Sequence, residues 1–102
     1  MASVVIGTTP IIKYEFRVVD VSDITIAYLT IKQNGVVKIE KDLNDAIIGE
    51  SSISWRLSQR DTLGLKLGSV EYRLNYKLED GTRGASKLGT FRLLDNDKKE
   101  VI

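Results

Sequence analysis

A strict alternation of apolar and polar residues runs through the second half of the chain and constrains the fold more than any other feature. From Val70 to Leu78 every second residue is apolar, and Glu71, Arg73, Asn75 and Lys77 lie between them. Successive side chains of a β-strand point to opposite faces, so this pattern is typical of a strand with one buried and one solvated face. The segment therefore predicts a half-buried strand.

Five other segments have the composition of β-strands. Ile53 to Leu57 and Val37 to Glu40 alternate in the same way, whereas Ile24 to Gln33 is rich in β-branched residues and apolar on both faces. Such a two-sided strand is expected in the middle of a sheet, covered on both sides, or on one side by a neighbouring molecule. Ile11 to Val19 is expected to be the first strand, and Ala85 to Leu94 the last.

Two dipeptides predict turns between these strands. Asn34-Gly35 directly follows Ile24 to Gln33, and Asp80-Gly81 lies between Leu78 and Arg83. Asn-Gly and Asp-Gly favour two-residue hairpins because both central residues of a type I′ turn have positive φ. A series of about seven short strands with turns between them is typical of an antiparallel β-sandwich or a small barrel.

The alternation also predicts which side chains form the core. We expect burial of Ile53, Trp55, Leu57, Tyr72, Leu74, Tyr76, Val37 and Ile39, with Trp55 at the centre. We expect exposure of Glu71, Arg73, Lys77, Lys38 and Glu40. An exposed Trp55 that anchors a partner protein is the alternative, since tryptophan is enriched at binding hot spots.

Composition limits the classes of function. The 102 residues are expected to form one domain, residues 1–102, with loosely ordered ends at 1–7 and 95–102. The chain has no cysteine and no histidine, which removes disulfides, thiol nucleophiles and the commonest general base and metal ligand. A net charge of +1 gives no sign of nucleic-acid binding. The N-terminus lacks the features of a signal peptide, and no segment approaches the roughly 20 apolar residues of a membrane helix.

No residue pattern predicts an active site, a cofactor or a metal ion. Asp95, Asp97 and Glu100 could suggest Ca²⁺, but the glycine and the remaining ligand positions of a calcium loop are missing, which favours a solvated tail. Asp20 and Asp23 flank a bend, where aspartate is common. An enzyme would need serine, lysine, tyrosine or carboxylate chemistry in a deep polar pocket. We therefore predict a protein that is not an enzyme and that has no catalytic residues, no bound cofactor and no metal site.

One segment, LSQRDTLGL from Leu57 to Leu65, does not alternate. Ser58 is a good helix N-cap, and Asp61 three residues later gives an acidic form of the capping box. We expect one helical turn that bridges two sheets and buries Leu63. The alternative is an active site built on Gln59, Arg60 and Asp61.

Several pieces of the sequence, taken in order, resemble small uncharacterised proteins of phages and prophages of Gram-positive bacteria. The pieces are Gly7-Thr8-Thr9-Pro10, Leu57 to Leu63 with Gly68 after it, Asp80-Gly81 followed by Ala85-Ser86, and the charged end that closes in Val101-Ile102. More distantly they are similar to the N-terminal immunoglobulin-like domain of phage baseplate upper proteins. The resemblance implies an immunoglobulin-like β-sandwich and a virion structural protein of the tail or baseplate. A cytoplasmic phage-encoded accessory module that stays outside the particle is the alternative.

On this interpretation the protein works through its surface. The expected partners are other virion proteins or a second copy of the chain, not nucleic acid or a membrane, and the expected location is the virion or the host cytoplasm. Sheet edges carry unpaired N–H and C=O groups, and Pro10 is the chain's one proline. We predict a dimer, or docking through a sheet edge or a C-terminal hook ending in Val101-Ile102; a monomer with a disordered tail is the alternative.

Overall fold

A computed structural model describes residues 2–102 and confirms an all-β sandwich with one short α-helix. The strands of this part of the chain are β1 (Ala2–Val5), β2 (Ile11–Glu15), β3 (Ile24–Gln33), β4 (Val36–Asp42), β5 (Ile47–Ile48), β6 (Ser52–Arg56), β7 (Gly68–Leu78), β8 (Arg83–Ala85) and β9 (Gly89–Leu94). The helix α1 spans Gln59–Leu63, and two 3₁₀ helices cover Val21–Asp23 and Leu43–Asp45.

The strands form two sheets of unequal size. The large sheet has the order β1-β9-β7-β3-β4, with β8 paired to β7 beyond β9, and the small sheet has the order β2-β6-β5. The expectation of a purely antiparallel fold is wrong at one edge, because β1 runs parallel to β9. Parallel neighbours need a long connection, and here almost the whole domain lies between the two strands.

The two predicted hairpins are present, but their turns differ. Asn34 and Gly35 have φ values of 51° and 77°, as the type I′ prediction requires. At the second hairpin Gly81 alone adopts positive φ, while the Asp80 carboxylate accepts a hydrogen bond from the Thr82 N–H at 2.8 Å. The Asp80-Gly81 turn is therefore held by an aspartate side chain rather than by two left-handed residues.

Trp55 lies at the centre of the core, as predicted. Its side chain comes from β6 of the small sheet and is 0% exposed. The indole Nε1–H donates to the main-chain oxygen of Asp42, at the end of β4 in the large sheet, at 2.9 Å. Ile53, Leu57 and Leu74 are also buried, so most of the predicted core is confirmed.

The predicted burial of Val37 is wrong, because β4 contains a β-bulge. Ile31 pairs with Ile39 but Lys32 pairs with Val37, so Lys38 is an extra residue between the two pairs. The extra residue reverses the alternation, which leaves Ile39 half-buried on the inner face and Val37 49% exposed on the outer face. The five side chains predicted to be exposed are exposed.

Two tyrosines of β7 pack over glycines on neighbouring strands. Tyr76 lies opposite Gly84 on β8, and Tyr72 lies opposite Gly89 on β9. A Cβ atom at either glycine would collide with the tyrosine ring. Both tyrosines are half-buried, and each ring covers backbone that a side chain would otherwise cover.

We expect Trp55→Phe to lower the free energy of unfolding by about 1–3 kcal/mol, because it removes the donor to the Asp42 carbonyl and leaves space in the core. Urea unfolding at neutral pH measures the change. Val18→Ala is the control, since Val18 is 98% exposed and its truncation should change stability by less than about 0.5 kcal/mol. A loss below about 0.5 kcal/mol for Trp55→Phe would show that this hydrogen bond does not hold the sheets together.

Candidate docking face

The non-alternating segment forms a capped helical corner, as predicted. The Ser58 hydroxyl accepts a hydrogen bond from the Asp61 N–H at 3.0 Å, and the Asp61 carboxylate accepts one from the Ser58 N–H at 2.8 Å. The two residues thus satisfy backbone donors at the start of α1 that the helix itself leaves open. The predicted burial of Leu63 is only partial: Leu63 is half-buried against the core, and Thr62 is the buried residue of α1.

Asp61 also joins the corner to the large sheet. Its carboxylate lies 3.0 Å from Lys41 Nζ, and both side chains are largely buried. Burial raises the pKa of Asp61, but hydrogen bonds from the Ser58 N–H and from Lys41 outweigh burial and hold that pKa below its usual range. The carboxylate is therefore a charged structural link.

The other polar side chains of the corner also bind backbone. The buried Thr62 hydroxyl accepts from the Gly7 N–H at 3.0 Å and donates to the Thr8 oxygen at 2.9 Å. The Gln59 amide exchanges two hydrogen bonds with the main chain of Ile102, at 2.9 and 2.7 Å. Of the residues proposed as an alternative active site, Gln59 thus binds the C-terminal end of the chain and Asp61 caps the helix. The loose order predicted for residues 1–7 and 95–102 stays a prediction.

Two of the three tail carboxylates are paired with lysines. Asp95 lies 2.9 Å from Lys99, and Glu100 lies 3.3 Å from Lys98. Within residues 2–102, no cluster of acidic side chains has the arrangement of a metal site. The same part of the chain contains no helix that is long and apolar enough to cross a membrane.

The β4 edge of the large sheet is protected against pairing with another strand. The bulge at Lys38 breaks its regular ladder, and Lys41 points inward to Asp61. Bulges and inward-pointing charges are common ways in which natural proteins block an edge strand. The structure thus favours a face of the molecule over this edge as a contact surface.

The outer face of the large sheet is the best candidate. β3 places Ile26 and Tyr28 on this face with 42% and 43% of their surface exposed. This is the second apolar face that the sequence of β3 predicts. We call this surface the outer face and define it by the rows that cross it: Val37–Lys32–Glu71, Glu40–Thr30–Arg73, Asp42–Tyr28–Asn75 and Ile26–Lys77–Arg83.

One row of the outer face places like charges together. Lys77 on β7 pairs directly with Arg83 on β8, and both side chains are exposed. Like charges at directly opposite positions destabilise a sheet. Among the described residues, neither Lys77 nor Arg83 has an acidic partner within 4.0 Å. Arg83 donates one long hydrogen bond to Asn75 at 3.5 Å.

Charge on the outer face is distributed unevenly about β3. The β4 side carries the acidic residues Glu40 and Asp42, whereas the β7–β8 side carries Arg73, Lys77 and Arg83 and one carboxylate, Glu71. Two shallow grooves lie on the β7–β8 side of β3. One contains Arg73 and the exposed Leu88, and the other contains Tyr28, Lys77 and Arg83. Apolar, aromatic and arginine side chains together are typical of protein interfaces.

Comparison with known proteins shows a fold but no family. No family model matches the chain, and no curated protein matches its sequence. A solved structure, CopC from Methylosinus trichosporium OB3b, matches with a TM-score of 0.61 and 14% sequence identity, over 96% of this chain and 89% of CopC. At this identity the match shows the shared β-sandwich fold.

The resemblance to phage and prophage proteins is therefore wrong, and with it the predicted role in a phage tail or baseplate. The structural match is to CopC, and neither the family models nor the curated proteins give a match that supports a phage protein. The motif that suggested the resemblance, Leu57 to Leu63, has a local explanation: Ser58 and Asp61 cap a helix and Thr62 binds a neighbouring loop. Such a corner arises from helix-capping chemistry and does not identify a family.

The likeness to CopC brings no metal ligands to this chain. The sequence contains no histidine and no cysteine, the side chains that most often bind copper and zinc in proteins. The donor set therefore does not fit a copper or zinc site of the usual kind.

We expect Asp61→Asn to lower the free energy of unfolding by about 0.5–1.5 kcal/mol at pH 7, because it removes the charge that binds Lys41 and caps α1. The folded-state pKa of Asp61 lies below its unfolded value, so this stabilisation is present above about pH 4 and is lost as pH falls through the folded pKa. Urea unfolding between pH 7 and pH 3 should show the two proteins converging at low pH.

Asp97→Asn is the matched control, because Asp97 is exposed and its replacement removes one carboxylate from the tail. A stability difference between Asp61→Asn and the unmodified protein that stays constant down to pH 3 would contradict the assignment of Asp61 as a charged link.

Proposed function

We propose that the protein is a non-enzymatic docking module that binds a protein partner through the outer face. The observation that carries the proposal is the row of Lys77 and Arg83 beside exposed Ile26 and Tyr28. This row combines positive charges that have no ion-pair partner with apolar surface. Burying the two together becomes favourable when a partner supplies acidic and apolar groups. The large sheet offers a flat, rigid surface of this chemistry.

The charge distribution supports a protein partner over nucleic acid or an anionic membrane. Glu40, Asp42 and Glu71 lie on the same face as the basic residues. A phosphate backbone would meet these carboxylates as well as the arginines, whereas protein surfaces can carry both signs of charge in a matching pattern.

The shape of the outer face supports binding rather than catalysis. Its grooves are shallow, and their charged residues belong to separate rows of the sheet. Enzymes usually bring titratable groups together in a deep pocket that excludes water. The shared fold with CopC is in keeping with this proposal.

We expect Arg83→Glu to raise the free energy of unfolding by about 0.2–1 kcal/mol, because it converts the like-charge pair with Lys77 into an opposite-charge pair. The same change should weaken docking, since it removes a basic residue from the outer face. Arg56→Glu, on an exposed position of the small sheet, is the control and should alter stability by less than about 0.5 kcal/mol. A fall in stability for Arg83→Glu would show that Arg83 serves the fold and not a partner.

Site-specific crosslinking tests the proposed function directly. The chain has no cysteine, so Thr30→Cys on the outer face and Lys13→Cys on the small sheet can each carry one photoreactive label. In an extract of the cells that make the protein, we expect a protein adduct from the Thr30 position and not from the Lys13 position. The same label on a Thr30→Cys chain that also carries Tyr28→Ser should give a much weaker adduct. Equal adducts from the Thr30 and Lys13 labels, or an adduct that Tyr28→Ser leaves unchanged, would contradict the docking face.

A further inference from the structure

We infer that the partner of the outer face is a second copy of the same chain, bound face to face about a two-fold axis that runs along β3. This inference rests on the proposed function and identifies its partner. The argument comes from the charge pattern: Glu40 and Asp42 lie on one side of β3, and the other side carries three basic residues against one carboxylate, Glu71, so the two sides have opposite net charge.

The row through Thr30 shows the complementarity most clearly. Thr30 on β3 pairs with Glu40 on one side and with Arg73 on the other. Neighbouring strands are about 4.8 Å apart, so Glu40 and Arg73 lie at equal distances from β3. Both side chains are exposed, and neither belongs to an ion pair within residues 2–102.

A rotation of 180° about an axis along β3 exchanges the two sides of the strand. Glu40 of each copy then lies over Arg73 of the other copy, and the contact occurs twice. In the next row Asp42 lies over Asn75, and Tyr28 meets Tyr28 at the axis. An axis across the strands would instead leave β7 over β7 and β4 over β4, so Glu40 meets Arg73 only about the axis along β3.

A second copy fits this surface better than an acidic partner does. An acidic protein would complement Arg73, Lys77 and Arg83, but it would meet Glu40 and Asp42 on the other side of β3. A second copy places Arg73 over Glu40 and Glu40 over Arg73, while Lys77 and Arg83 extend past the partner's β4, which ends at Asp42. It also covers Ile26 and Tyr28, which are about two-fifths exposed in the single chain.

The size of the face predicts a reversible dimer. The strands β4, β3, β7 and β8 have 7, 10, 11 and 3 residues, so the face covers roughly 500 Å² per copy. Stable protein interfaces bury about 800 Å² per partner. We therefore expect an equilibrium between monomer and dimer that shifts with protein concentration and weakens as ionic strength rises.

A charge swap tests the inference. Glu40→Arg and Arg73→Glu each replace two attractive contacts of the dimer with repulsive ones, and each should weaken dimerisation by about tenfold or more. The double variant, with both substitutions, restores the attraction and should dimerise within about threefold of the unmodified protein. Sedimentation equilibrium at low salt measures the dimer dissociation constant. Urea unfolding of each variant shows whether the monomer stays folded, as expected for exposed positions.

Two results would overturn the second-copy inference: an unmodified chain that stays monomeric at all concentrations, or a double variant as weak as the single ones. The crosslinking experiment separates this failure from that of the proposed function. If the label at Thr30 crosslinks a different protein while the purified chain is monomeric, the docking face stands and the second copy is wrong. If the label at Thr30 gives no adduct, or an adduct that Tyr28→Ser leaves unchanged, both the docking face and the second-copy inference are wrong.

Discussion

The hydrogen bond from the Trp55 indole to the Asp42 carbonyl links the two sheets and sets their relative position. Trp55 comes from the small sheet, and Asp42 ends the edge strand of the large sheet. A few residues away, Lys41 of the same edge strand pairs with Asp61 of the helical corner. Both contacts hold β4 from the inside of the sandwich. The small sheet and the helical corner therefore cover the inner side of the large sheet, and its outer face is left to solvent.

Alternation in the sequence was enough to predict the sandwich, because a period of two assigns each strand one buried face. It predicted the strand Val70–Leu78, the whole length of β3 and the central position of Trp55. It failed at Val37, where one extra residue in β4 shifts the pattern. It also missed β1, extended the strand from Ile11 past its end at Glu15, and joined the end of β8 to β9 as one strand. A bulge depends on how two distant strands pair, and the local sequence of either strand does not show it.

The candidate site was predictable in part. The apolar character of both faces of β3 indicated a covered or contacted surface, and Ile26 and Tyr28 lie there. The like-charge row could not be predicted, because Lys77 and Arg83 become neighbours through the register of β7 with β8. The same holds for Glu40 and Arg73, which lie on different strands and are related by their positions on either side of Thr30. Charge patterns across a sheet are properties of the pairing, while alternation is a property of the chain.

The arrangement of blocked edge and open face also determines what kind of assembly can form. If β4 paired with another strand at its edge, the neighbour's own opposite edge would remain available, and chains could add without limit. The bulge at Lys38 and the inward Lys41 oppose this route. A face-to-face contact about a two-fold axis uses the outer face of both copies and leaves none for a third. In the proposed dimer, Glu40 and Arg73 pair between the copies and direct association toward an assembly that closes at two copies.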